Sequence, residues 1–319
     1  MLYKEIDTVE FDLNTVCNSY CPPCHRYAIQ DGELFHNPYV KLGVNLELDV
    51  IEKVFCNERL ADDCFVDLVG LVGEPIAHPQ FMEIVDIIYK HRPNAAINLH
   101  TNGGLRTEKM FYDLGKKFNK HSWIKFSLDG LEDTNHLYRK NAKWKSIMTA
   151  IKTLKDREFK IIWQFIPFKH NQHQILDAGN LSKTLGFDEF KLLQSDRWLG
   201  KKELMPDREF VDDYYKAQKE VLINPNFSLD MQPKCLKNDL PSESLYVDAE
   251  GDFYPCCWMG SYRYKYKSMF SPKQKTFNIK NNTLNQILEN NSVKDFFETT
   301  KQFTSAHECC KIQCGVKNG

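Results

Sequence analysis

The sequence predicts an α/β fold, a partial (β/α)6 TIM-like barrel followed by a small C-terminal α+β domain. Three observations carry that expectation. Six short strand-like runs alternate with helical patterns between Asp7 and Leu193, and such alternation implies a parallel sheet with crossover helices. The strands are expected to bury both faces, and they read as apolar runs. After the first run comes a cysteine loop where a dinucleotide-binding sheet would carry G-x-G-x-x-G, which favours an open barrel over a Rossmann sheet.

Asp7 to Val16 alternates, with Val9, Phe11 and Leu13 apolar, and reads as the first strand. Leu48 to Leu60 has helical spacing on Val50, Ile51, Val54 and Phe55, with Asp49 near its start. Phe65 to Leu71 is the second strand, Phe81 to Tyr89 the next helix, and Ala95 to His100 the third strand, closed by Asn102-Gly103-Gly104. Helix Thr107 to Leu114 leads to strand Trp123 to Leu128, which ends at Asp129-Gly130. Helix Ser146 to Leu154 leads to strand Lys160 to Ile166, stopped by Pro167. Helix Ile175 to Leu185 and strand Glu189 to Leu193 complete the six units. In such barrels the chemistry gathers at the C-terminal ends of the strands, so the loops after the strands share one rim.

From Ser195 to Lys234 the composition turns charged, with one expected helix over Arg208 to Leu222, and reads as a connector. Leu245 to Tyr254 reads as a hairpin in which Gly251 supplies a positive φ. Leu284 to Leu288 and Val293 to Phe297 read as helices. The expected units are 1–195, 196–234 and 235–319.

Composition excludes some functions. Lys plus Arg number 42 and Asp plus Glu 43, a formal net charge of −1, so bulk charge does not make this a polyanion binder. No apolar run reaches the roughly 18 residues of a membrane span. The acidic start (Glu5, Asp7, Glu10, Asp12) resembles neither a signal nor a transit peptide, and a cytoplasmic location is the expectation. Eleven cysteines, an odd count without an export signal, make a poor disulfide framework. They fall at the two ends, with none between Cys64 and Cys235.

Cys17, Cys21 and Cys24 are spaced C-x3-C-x2-C in the loop after the first strand. Three thiolates can hold three irons of a [4Fe–4S] cube and leave the fourth open. A structural zinc wants four closed ligands; His25, adjacent to Cys24, would strain to become one. Zinc and scattered core thiols are the plainer alternatives. On this motif and its placement, the stretch from Thr8 to about Ser195 resembles the radical S-adenosylmethionine superfamily. The resemblance implies that the open iron binds the amino and carboxylate groups of S-adenosylmethionine, and that one electron cleaves it to methionine and a 5′-deoxyadenosyl radical. That radical then abstracts a substrate hydrogen.

Further segments carry the same resemblance. Val72-Gly73-Glu74-Pro75 looks like the family's Gly-Gly-Glu segment, whose backbone would meet the methionine amino group. Thr101-Asn102-Gly103 ends the third strand as in many members. Ser127-Leu128-Asp129-Gly130 and His136-Leu137-Tyr138-Arg139 resemble the stretch that contacts ribose and carboxylate, and Arg139 can fork to a carboxylate. Ile166-Pro167 and Asn171 resemble the adenine-side turn. The departure is Pro23, where the family often has an aromatic residue.

In the last quarter, Cys235 followed by Gly251-x4-Cys256 resembles the start of the superfamily's SPASM and twitch extensions, which hold auxiliary Fe–S clusters. Six cysteines are available there, one short of the two-cluster form, so one auxiliary cluster, a [4Fe–4S] centre, is expected on Cys235, Cys256, Cys310 and Cys314, with Cys309 open as an alternative to Cys310. A four-cysteine zinc ribbon fits the same spacing. Cys257 is expected on the opposite side of the hairpin from Cys256, and Cys56 and Cys64 as small buried hydrophobes.

The functional expectation is a radical S-adenosylmethionine oxidoreductase or modifying enzyme acting on a peptide or small molecule. Its second electron would pass to the auxiliary cluster, and an external flavodoxin- or ferredoxin-like protein would supply reducing equivalents. Only about seven residues precede the first strand, which weighs against a separate peptide-recognition domain. The rival is a zinc-stabilised nucleic-acid or protein binding module, with Tyr246, Phe253, Tyr254, Trp258 and nearby lysines as a stacking surface.

Overall fold

In β1 (Ile6–Asp12) alternate residues take opposite faces. Val9 and Phe11 are fully buried, and the Phe11 ring stacks on Phe55 of the first helix, centroids 6.0 Å apart, while Glu10 turns to a cavity on the other face. This computed structural model describes residues 5–22, 24–30, 33–193, 195, 202–207, 230–231, 236–237, 240–241, 244–262, 275–302 and 304–316.

A two-stranded hairpin, β2 (Tyr27–Gln30) and β3 (Glu33–His36), follows the cysteine loop. The repeating units come next: α1 (Leu48–Phe55), β4 (Leu60–Val69), α2 (Phe81–His91), β5 (Ala96–Thr101), α3 (Glu108–Lys117) and β6 (Trp123–Ser127). Then come the short α4 (Asn135–Tyr138), α5 (Trp144–Thr153), β7 (Lys160–Phe165), α6 (Ile175–Thr184) and β8 (Glu189–Leu192). The helices bury one stripe each. In α1 it is Val50, Ile51, Val54 and Phe55, at the i, i+4 spacing that puts side chains on one face. Thr107 caps α3, its hydroxyl accepting the Met110 N–H at 3.3 Å.

Later come the short strands β9 (Asp230–Met231), β10 (Leu236–Lys237) and β11 (Leu240–Pro241), then the hairpin of β12 (Ser244–Val247) and β13 (Phe253–Tyr254). Gly251 turns that hairpin with φ +86°. The main sheet has eight strands in the order β13-β12-β1-β4-β5-β6-β7-β8. Every neighbouring pair is parallel except β12–β13. The sheet is not closed, and the fold is a partial barrel.

All six expected strands are present, and the two additional ones come from the C-terminal quarter. β12 pairs with the outer edge of β1, Thr8 opposite Ser244 and Phe11 opposite Val247. The first strand stops at Asp12 rather than Val16, because the chain turns there into the cysteine loop. The first helix stops at Phe55, since Asn57 accepts the Arg59 N–H at 3.0 Å and turns the chain into β4. Cys64 is buried as expected, but Cys56, at the carboxyl end of α1, is exposed. The helix expected over Arg208 to Leu222 lies outside the described residues, as does most of the connector. Among the described residues no helix is long and apolar enough to cross a membrane.

Candidate functional site

Where β1, β4, β5, β6 and β7 end, their loops surround a cavity of about 350 Å³, within the range of small-molecule sites. Cys17, Cys21 and Cys24 line it. The cysteine loop is pinned by Tyr20 N–H to Lys140 O and Cys24 N–H to Cys21 O, both 2.9 Å. Burial pushes the Cys17 thiol up to about 11 and the Cys21 thiol up to about 12. The protein alone therefore leaves these two as thiols at neutral pH; a bound cation is what would make them thiolates. Among the described residues, the one group of three Cys, His, Asp or Glu ligand atoms all within 4.8 Å of one another is elsewhere. A single tetrahedral zinc would draw its sulfurs to about 3.8 Å from one another, and the three thiols of this loop are not gathered within 4.8 Å.

After β4, Gly73 and Glu74 are clamped against the loop after β1. Glu74 N–H donates to Val16 O at 2.7 Å, and Asn14 Nδ2 donates to Glu74 O at 2.8 Å. A Cβ on Gly73 would lie 2.1 Å from Asn14 O, so this approach requires glycine. The carbonyls of Val72 and Gly73 accept no hydrogen bond among the described residues, and both residues line the cavity. Such acceptors suit a ligand's ammonium group. Glu74 turns its carboxyl into the protein, where Oε2 accepts Asn102 N–H at 2.8 Å and Asn102 Nδ2 at 2.5 Å. Burial raises this carboxyl to about 7, with Thr101 and Asn102 holding it lower than burial alone would.

Of the eight other predicted site residues, Val72, Gly73, Glu74, Asn102, Ser127, Arg139 and Ile166 line the cavity, and Asp129 does not. Asp129 is fully buried and ties the rim together. Its Oδ1 accepts Ile166 N–H and its Oδ2 accepts Arg139 Nε, both at 2.7 Å. Asn171, from the same expected turn, donates to the carbonyls of Asp129 (2.9 Å) and Ile166 (3.0 Å). Asp129 thus positions Arg139 and the strand ends.

The concave face below the rim is polar, which corrects the expectation of strands apolar on both faces. Glu10, His100, Gln164 and Tyr246 all line the cavity. The residues sit at alternating positions in strands whose other face is apolar, and that alternation was the available signal. Glu10 is raised to about 8, by burial first and then by Asp67 and Asp12. His100 Nε2 lies 3.2 Å from Asp67 Oδ1 and 3.4 Å from Lys125 Nζ. Asp12 Oδ1 accepts Leu71 N–H at 2.9 Å, and Oδ2 accepts the Tyr246 hydroxyl. The rim loop is in this way tied to β12.

Five C-terminal cysteines come together where helix Cys257–Tyr262 meets helix Glu308–Cys314; Cys235 lies outside the described residues. Cys309, Cys310 and Cys314 are buried. Cys309 donates toward Met259 Sδ at 3.5 Å, and its thiol is raised by the adjacent Cys310, by burial and by nearby Cys256 and Cys314. Cys257 is not turned away from Cys256: its thiol is raised first by a hydrogen bond with Cys256, and it also meets Glu10. It lies at the start of a helix, so the alternation of the hairpin no longer applies. Tyr246, Phe253 and Tyr254 are core residues, each no more than 1% exposed, and offer no stacking surface.

The radical SAM superfamily model matches residues 13–177, more than half of the chain. The chain belongs to the radical SAM superfamily. A second model, of an iron–sulfur cluster-binding domain, matches residues 235–315. Membership brings a [4Fe–4S] cluster with S-adenosylmethionine and, in the second region, an auxiliary Fe–S cluster, in place of the zinc-module reading. Similar solved structures include anSMEcpe with bound AdoMet and Cp18Cys peptide, with TM-score 0.58 and 20% identity over 97% of this chain and 86% of that one. Another is Streptococcus suis SuiB bound to precursor peptide SuiA, with TM-score 0.59 and 14% identity over 92% of this chain and 66% of that one. At these identities the likeness is one of fold. No curated protein matches the chain by sequence.

Proposed function

We propose that this enzyme oxidises a peptide or small molecule by hydrogen abstraction, with Cys17, Cys21 and Cys24 holding the first cluster. When bound, the first cluster and S-adenosylmethionine supply a 5′-deoxyadenosyl radical that takes a substrate hydrogen, and the auxiliary cluster supplies an acceptor for the second electron. The product is then a dehydrogenated or crosslinked substrate. The observation that carries this reading is the single cavity on which the cysteine trio and seven of the eight predicted residues converge.

The carbonyls of Val72 and Gly73 accept from the methionine ammonium, and Arg139, oriented by Asp129, meets its carboxylate. Glu74 and Asn102 act on each other and hold the two rim loops in register. Ser127 and Ile166 flank the nucleoside. The polar concave face of Glu10, His100 and Gln164 receives the substrate. A peptide is favoured over a small molecule because solved structures of similar fold are described with bound peptides. Cys235, Cys256, Cys310 and Cys314 hold a single auxiliary cluster, and the approach of Cys309 to Met259 favours Cys310 over Cys309. The domains divide as 1–195, 196–234 and 235–319, and a flavodoxin- or ferredoxin-like protein in the cytoplasm delivers the electron.

Anaerobic reconstitution tests this. Iron near four per cluster and dithionite-dependent 5′-deoxyadenosine are expected, and a Cys256→Ala, Cys310→Ala variant should lose about half the iron. A fully loaded protein that forms no 5′-deoxyadenosine would overturn the reading.

A further inference from the structure

On the outer surface of the barrel, away from the cavity, α1 and α2 end side by side. Glu52 and Cys56 lie four residues apart at the carboxyl end of α1, the spacing that stacks two side chains on one helix face. His91 is the last residue of α2. Its Nε2 lies 2.6 Å from Glu52 Oε1 and 3.6 Å from Cys56 Sγ. One ligand atom from each residue falls within 4.8 Å of the other two, and no other trio among the described residues does this. Cys56 is exposed, so a solvated ion has access to it.

We propose that Glu52, Cys56 and His91 form an open, three-ligand zinc site where the carboxyl ends of α1 and α2 meet. The donor set is one thiolate, one imidazole and one carboxylate, the mixture zinc takes, with a fourth position left to water. Bond lengths of about 2.3 Å to sulfur and 2.0 Å to nitrogen place those two ligands about 3.5 Å apart in a tetrahedron; Cys56 Sγ lies 3.6 Å from His91 Nε2 and 3.7 Å from Nδ1, so the exposed Cys56 side chain must rotate toward the Nε2 lone pair. The Glu52 carboxylate must open its contact with His91 by less than 1 Å or so, which a side-chain rotation on the surface accomplishes. Both helices direct their carboxyl ends, with their partial negative charge, at the same spot, and that favours a cation. The Lys90 ammonium already exploits this field, 2.8 Å from Glu52 Oε1, and the metal must compete with it. Binding releases the Cys56 thiol proton to solvent.

The site lies apart from every residue of the cavity and from the C-terminal cysteines, which keeps its test separate from that of the proposed chemistry. The reconstituted holoenzyme is titrated anaerobically with zinc chloride against a chromophoric chelator, and zinc and iron are counted after desalting. One zinc beyond the cluster iron is expected in the wild type. Cys56→Ser and His91→Ala should each weaken it by more than about 100-fold, beyond the loss of an outer-shell partner. Iron content and 5′-deoxyadenosine formation should stay at wild-type levels in both, which also reports that both are folded. Lys90→Ala, by removing the competing cation, should tighten zinc several-fold. Zinc not retained by the wild type, or retained equally by Cys56→Ser and His91→Ala, overturns the proposal.

Discussion

Replacing Gly73 with alanine places a methyl group where the chain has no room. The added carbon would sit 2.1 Å from Asn14 O and 2.5 Å from Asn14 Oδ1, so one of the two rim loops must move by about 1 Å to reach ordinary contact. Such a shift breaks or stretches the bonds from Glu74 N–H to Val16 O and from Asn14 Nδ2 to Glu74 O, worth about 1 kcal/mol each. Overpacking adds about 1–3 kcal/mol, for a total of roughly 3–5 kcal/mol. The same movement displaces the Val72 and Gly73 carbonyls, and a misplacement of about 1 Å costs on the order of 100-fold in rate. Urea unfolding of the reconstituted protein gives the first quantity, and the rate of dithionite-dependent 5′-deoxyadenosine formation gives the second. Wild-type values in both for Gly73→Ala would refute the reasoning.

Gly179 provides the opposite case: it lies inside α6 and an added carbon would meet Phe190 at an ordinary 3.6 Å, so Gly179→Ala should raise the urea midpoint by the equivalent of about 0.5–1 kcal/mol. Glu10, held up to about 8 against an ordinary value of 4.5, keeps a proton in the native state that the unfolded chain has lost. Its contribution makes stability fall as pH rises between those values, by up to about 1.4 kcal/mol per pH unit; Glu10→Gln should flatten that slope, and superposable profiles would count against it. Tyr246→Phe removes one donor to buried Asp12 and should cost about 1–3 kcal/mol, measured by thermal unfolding, where an unchanged midpoint would show that the contact carries no weight.

Much of this architecture is legible in the chain because its signals are local. Val9 and Phe11 mark β1 by alternation, and Val50, Ile51, Val54 and Phe55 mark α1 by spacing. Once the strands are parallel, the ends of β1, β4, β5, β6 and β7 must share a rim, which is why Cys17, Gly73, Asn102 and Arg139 meet at one cavity. Features that depend on distant partners are not legible in this way. Nothing near Ser244 says that it will lie beside Thr8. Asp129 has the residue type and place of a ligand, but the backbone of Ile166 and the side chain of Arg139 claim both its oxygens. Cys56 looks like a small core residue until the turn at Asn57 ends α1 and leaves it facing solvent.

The pairing of β12 with β1 bears on how the nascent polypeptide reaches its final form. Synthesis runs from the amino end, so the ribosome releases the barrel units well before the strand that completes them. Until then β1 presents a bare row of amide and carbonyl groups, which invites association with other chains. Asp12 likewise waits for Tyr246, and through Leu71 N–H that contact bears on the loop beside Cys24. A fragment ending near residue 195 would keep all three rim cysteines yet lack the strand and hydroxyl that finish their surroundings, so cluster assembly on such a fragment should be less efficient than on the completed polypeptide.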